Sequence, residues 1–120
     1  MSEETIFTKI INGTIPSKTI YHDDLVTAFL DINPKAEHHI IIVTNKPIPS
    51  VSQVEPEDEK MMGHLFIVAR KIAEDLGVSE SGYRLIVNVG KNGCQEVPHI
   101  HMHFLAGGYL GGFGFPNDKI

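Results

Sequence analysis

Apolar residues recur along this chain in several distinct rhythms, and each rhythm predicts a different element. Ile6, Phe7, Ile10 and Ile11 fall on one side of a helix, so Thr5 to Gly13 predicts a short first helix that Gly13 stops. A longer stripe of Met62, Leu65, Phe66, Ala69, Ile72, Ala73 and Leu76 predicts a second helix from Pro56 to about Leu76, ending at Gly77. Pro56 suits a first helical position, and Glu57, Asp58 and Glu59 oppose the positive end of the dipole. Met61 and Val68 widen the stripe. Core packing is the plain expectation for both, with an oligomer interface as the alternative.

Other segments follow the period of a strand. Thr19-Ile20-Tyr21, a turn at His22-Asp23-Asp24, and Val26 to Leu30 predict a hairpin. Asp31-Ile32-Asn33-Pro34 ends it, because the residue before proline is pushed toward extended backbone. His39 to Thr44 is a continuous run rich in β-branched residues, as expected of a strand buried on both faces. Tyr83 to Asn88 predicts a fourth strand, and Pro98 to Ala106 a fifth, with a turn at Gly90-Lys91-Asn92-Gly93 between them. The fold class expected is α+β, with a five-stranded antiparallel sheet, one long helix and one short one. A single domain over residues 1–120 fits the length, and the glycine-rich tail from 107 to 120 predicts no regular element.

Within the last strand, His99, His101 and His103 alternate with Ile100, Met102 and Phe104. Extended backbone puts the three imidazoles on one face and the apolar residues on the other. Packing gives no reason to prefer imidazole over valine there, so the row points to chemistry. Imidazole serves as nucleophile, acid or base near neutral pH. A zinc site is the rival reading, with His39 as a further ligand from a neighbouring strand, although Glu96 is the sole nearby candidate for an acidic partner. The preceding Gly93-Cys94-Gln95-Glu96-Val97 could present backbone amides to phosphate oxygens, which favours nucleophilic attack at phosphorus. His22 and His64 stand alone and read as satisfied polar residues.

Charge and composition narrow the partners. Ten basic against fifteen acidic residues give −5, which speaks against a broad nucleic-acid surface. No apolar run approaches a membrane span. Cys94 is the lone cysteine, so no intramolecular disulfide is possible, and with an acidic amino terminus unlike a signal peptide the cytoplasm is the expected address. A buried, inert thiol is the expectation for Cys94.

The pattern His-φ-His-φ-His-φ-φ resembles the signature of the histidine triad superfamily. Thr5-Ile6-Phe7, Lys9-Ile10-Ile11, Ile15-Pro16-Ser17, Asp31-Ile32 with Pro34, Gly82-Tyr83-Arg84 with Asn88, and Gln95-Glu96-Val97 extend the likeness to about Gly107. The chain is similar to the histidine triad nucleotide-binding branch. That resemblance implies a homodimer with one continuous sheet, and hydrolysis of purine nucleoside phosphoramidates such as AMP–amine conjugates. It implies His101 as nucleophile, His103 on the phosphate, and His99 with His39 as the supporting proton network. Asp31 would hold the ribose hydroxyls beside Ile32 under the base, and Asn88 with the backbone of Cys94, Gln95 and Glu96 would bind the phosphate region. Neither metal nor other cofactor is implied. A dinucleoside polyphosphate hydrolase, a non-catalytic nucleotide-binding module and a zinc-binding protein stay open as alternatives. Asp31 could also simply cap its turn.

Three positions depart from the family pattern. Cys94 replaces a second glycine, and a positive φ there would strain it. Pro98 stands where an aromatic or aliphatic residue is usual, and Gly108 where a basic residue is frequent.

Overall fold

The computed structural model describes residues 4–112. Helix α1 (Ile6–Ile11) begins at Thr5, whose hydroxyl accepts the Thr8 amide, and is followed by β1 (Thr19–His22), β2 (Val26–Leu30) and β3 (His38–Thr44). Two short 3₁₀ turns lead into α2 (Glu59–Leu76), and β4 (Tyr83–Ile86) and β5 (His101–Ala106) complete the fold. The strands form one antiparallel sheet in the order β1-β2-β3-β5-β4. This is the architecture expected of the sequence.

The two faces of the sheet are covered differently. On one, Val26, Ala28, Ile40, Ile42, Met102 and Phe104 pack against Leu65, Val68, Ala69 and Ile72 of α2. On the other, the shorter α1 brings Phe7 against Phe29, Ile41 and Val43. A six-residue helix cannot roof a five-stranded sheet. The open part of that face, over β3, β5 and β4, is where a ligand can enter. β3 is central and buried from both sides, which explains its unbroken apolar run.

Several boundaries differ from expectation. Pro56–Asp58 forms a 3₁₀ turn before the α-helix, held where the Glu55 amide donates to Asp58 at 2.9 Å, and Gly77 ends the helix at φ 72°. Met61 and Val68 are core residues, whereas Phe66 is 57% exposed, so the buried stripe of α2 runs through 61, 65, 68 and 72. β4 stops at Ile86 instead of Asn88, and β5 starts at His101 instead of Pro98. Between them, Gly90 and Gln95 tie the chain into a loop, with the Gln95 amide donating to the Gly90 carbonyl and the Gly90 amide to Gln95 Oε1, each at 3.0 Å. Within that loop Gly93 is required, because a Cβ there would lie 2.4 Å from the Val89 carbonyl oxygen. Residues 107–112 are irregular, and the tail beyond 112 lies outside the described residues.

Candidate functional site

Antiparallel pairing places the imidazoles on the open face. His101 pairs with Val43, His103 with Ile41 and His39 with Leu105, so all three point away from α2. His99 lies ahead of the strand in a bend. It is fully buried, its ring edge-on to Phe7 with centroids 6.0 Å apart. The row of three is therefore two strand histidines preceded by one that acts as a wedge.

Main-chain groups determine which nitrogen of each ring carries the proton. His101 Nδ1–H donates to the His99 carbonyl at 2.7 Å, which leaves its Nε2 lone pair free. The group that fixes this tautomer is thus a backbone oxygen and not a neighbouring imidazole. His99 Nε2–H donates to the Thr44 carbonyl at 2.6 Å, so its Nδ1 accepts from the Thr5 and Thr8 hydroxyls, both 3.5 Å away. On the other side, the Lys35 N–H donates to His39 Nδ1 at 3.0 Å. His39 must then carry its proton on Nε2 and donate it to His103 Nδ1 at 2.9 Å. His103 is left with a proton on Nε2. The site accordingly holds one imidazole with a free lone pair next to one with a free N–H, their centroids 5.1 Å apart.

All four rings are kept neutral, first of all by burial, which disfavours imidazolium. The His99 and His101 pKa values lie below the usual histidine range for this reason; each is partly offset by the carbonyl it bonds, and Glu96 also raises His101. His39 is lowered by burial against the opposing pull of Asp31. His103 falls furthest, to about 4, from burial and then from its neighbours His101 and His39.

His39, His101 and His103 line a cavity of about 430 Å³ with Asp31, Asn88, Cys94 and Glu96, whereas the predicted site residue His99 is buried behind its wall. Sequence-predicted residues thus converge from five stretches of chain. Asp31 caps its turn and also lines the cavity. Its Oδ1 caps the turn by accepting the Asn33 amide at 2.7 Å, while its Oδ2 lies 3.4 Å from His39 Nε2. Ile32 is 87% exposed and outside the cavity wall. Gln95 turns away, its Nε2 donating to the carbonyls of Pro49 at 2.6 Å and Val97 at 2.9 Å and its amide to the Gly90 carbonyl, so this predicted site residue does not line the cavity. Phe7, Lys35, Ile86 and Leu105 line the cavity without having been singled out. Lys35 acts through its amide, which no side-chain motif advertises.

Cys94 is exposed, contrary to expectation, and adopts φ 64°. A non-glycine residue in that region costs about 1–2 kcal/mol. The Asp31, His39 and His103 ligand atoms lie within 4.8 Å of one another, which invites the zinc reading. Their chemistry does not fit it. A neutral imidazole binding metal through Nε2 carries its proton on Nδ1, and His39 Nδ1 already faces the Lys35 N–H. Two N–H groups would then oppose each other. Elsewhere, His64 is satisfied by Asp23 at 2.6 Å, as expected of an isolated histidine.

Comparison with known proteins finds relatives over nearly the whole chain. The HIT domain family model matches residues 12–109. The chain is 56% identical over 111 residues to the purine nucleoside phosphoramidase of Escherichia coli K12, covering 92% of this chain and 93% of that protein. A histidine triad protein from Clostridium difficile superposes with a TM-score of 0.89 at 41% identity, covering 94% of this chain and 99% of the other. The histidine triad nucleotide-binding protein of Candida albicans gives 0.82 at 27% identity, covering 98% and 86%.

Proposed function

This chain belongs to the HIT domain family, and from that premise we propose that it hydrolyses purine nucleoside 5′-phosphoramidates to a nucleoside monophosphate and an amine. The observation that carries the reading is the free Nε2 lone pair of His101, exposed in the cavity by the bond from Nδ1–H to the His99 carbonyl. His101 Nε2 attacks phosphorus as the P–N bond breaks. The nitrogen takes up a proton and leaves as the amine, with the nucleotide held on the imidazole. Water then attacks the same phosphorus and gives up its proton, the P–Nε2 bond breaks, and the monophosphate departs.

The remaining residues take supporting roles. His103 Nε2–H donates to a phosphate oxygen, with its tautomer held by His39. His99 orients His101 through its carbonyl. Asp31 Oδ2 receives the ribose hydroxyls beside Ile32, and Asn88 with the Glu96 amide takes the phosphate region, since the Cys94 and Gln95 amides already donate to the Lys91 and Gly90 carbonyls, each at 3.0 Å. The chemistry calls for no cofactor. The test is turnover of adenosine 5′-phosphoramidate by the wild type and by His101→Ala, with and without chelator. The wild type should be active in either condition and the variant inactive. Activity surviving the substitution would remove His101 as nucleophile, and loss on chelation would restore the metal reading.

The same reading makes residues 1–120 one domain of a cytoplasmic homodimer. β4 is an edge of the sheet, with its outer backbone groups available to a second β4, and Phe66 and Ile67 are exposed on α2. Sedimentation should give twice the monomer mass.

A further inference from the structure

Glu96 occupies a position with no parallel elsewhere among the described residues. It lines the catalytic cavity and also two grooves outside it, of about 490 and 420 Å³, and is the one residue common to all three. It is exposed and takes part in none of the four ion pairs among the described residues. The larger groove is lined by Glu4, Thr5, Ile6, Pro49, Val97 and Pro98 besides Glu96, so it carries two carboxylates and no basic side chain.

The cavity follows β5, with Asp31, His39 and His103 at one end and His101 beside the 94–97 segment at the other. A ribose held at Asp31 occupies the first end. The amine attached to phosphorus then extends past the second, where Glu96 stands at the exit. An aliphatic amine released near neutral pH is itself a cation. Resting on the phosphoramidase reading above, we propose that Glu96, with Glu4 behind it, selects the amine half of the substrate, favouring leaving groups that bear a positive charge over those that bear a carboxylate. The field of Glu96 reaches the reacting group, since it opposes the burial effect on His101.

The experiment uses three adenosine phosphoramidates with the full-length protein: the unsubstituted amide, the conjugate of diaminobutane and the conjugate of aminobutyrate, the last two matched in length. The wild type should prefer the cationic conjugate in kcat/KM by about tenfold, the scale of one charge contact through solvated protein. Glu96→Gln should remove most of the preference and leave the smaller part due to Glu4, Glu96→Lys should invert it, and Glu4→Gln should reduce it by less than Glu96→Gln does. Added salt should shrink the wild-type ratio. Because each ratio is internal to one variant, partial loss of folded protein cancels. A wild-type ratio near one, or a ratio unchanged in Glu96→Gln, overturns the assignment of Glu96. Failure of the wild type on all three compounds instead overturns the phosphoramidase reading, and the selectivity with it.

Discussion

Two aspartates in this molecule each meet a histidine, and their surroundings give them opposite roles. Asp23 lies in the turn between β1 and β2, and its carboxylate is used entirely by the fold. Oδ1 accepts the amides of Leu25 and Val26 at 2.8 and 2.9 Å, and Oδ2 accepts the Tyr21 hydroxyl and His64 Nε2, both at 2.6 Å. Burial alone would raise its pKa, yet these bonds outweigh burial and hold it far below the carboxylate range. Asp31 ends β2 on the open face. One oxygen caps its turn, and the other lies on the cavity with a 3.4 Å approach to His39. A carboxylate whose bonding capacity is filled by its own chain stabilises the fold; one left half-filled at a cavity is available to a ligand.

That contrast can be broken experimentally. Asp31→Ala should lower kcat/KM on adenosine 5′-phosphoramidate by about 10- to 100-fold, through loss of a charged hydrogen-bond acceptor for the sugar, while moving stability by under about 1 kcal/mol. Asp23→Ala should do the reverse, costing about 2 kcal/mol in urea unfolding with little change in kcat/KM for the protein that remains folded. If both substitutions act on stability alone, Asp31 is only a turn cap.

The pH dependence of stability separates the two regions again. The His103 pKa in the folded protein, about 4, lies below its unfolded value of about 6.5, so the unfolded chain binds the extra proton first. Stability should therefore fall as pH drops from about 6.5 to 4, and His103→Gln should reduce that slope, with the remainder due to His39, His99 and His101, which are lowered as well. Asp23 is also depressed, so its contribution is present above the unfolded aspartate value of about 3.9 and is lost as pH falls below it. Asp23→Asn should flatten only this lower limb. Equilibrium unfolding at a series of pH values reads both, and a substitution that flattens both limbs would show that the groups are coupled.

The smallest expected effect concerns the wall of the site. Cys94→Gly should raise stability by about 0.5–1 kcal/mol, since glycine relieves the left-handed backbone at the cost of some unfolded-chain entropy. Denaturant midpoints will show it, and destabilisation would mean that the cysteine side chain has packing value here.

Much of this was legible in residues taken a few at a time. The alternation from His99 to Phe104 and the run from His39 to Thr44 predict strands because period and β-branching are local properties. The caps and stops of α2, from Pro56 to Gly77, are equally local. The same alternation marks the histidines as chemical, since imidazole has no advantage in a core. What lies beyond local reading is set by groups distant in sequence. Phe66 belongs to the helical stripe by spacing yet faces outward, because the sheet meets α2 along 61, 65, 68 and 72. The Lys35 amide, the Thr44 carbonyl and the His99 carbonyl decide which imidazole nitrogen is free, and every residue but proline carries such an amide, so none is visible as a motif. The chain determined by itself that imidazoles would stand in a row on one face. Tertiary contact decided which of them keeps a free lone pair and which a free N–H, because a proton's place on a ring depends on the partner across from it.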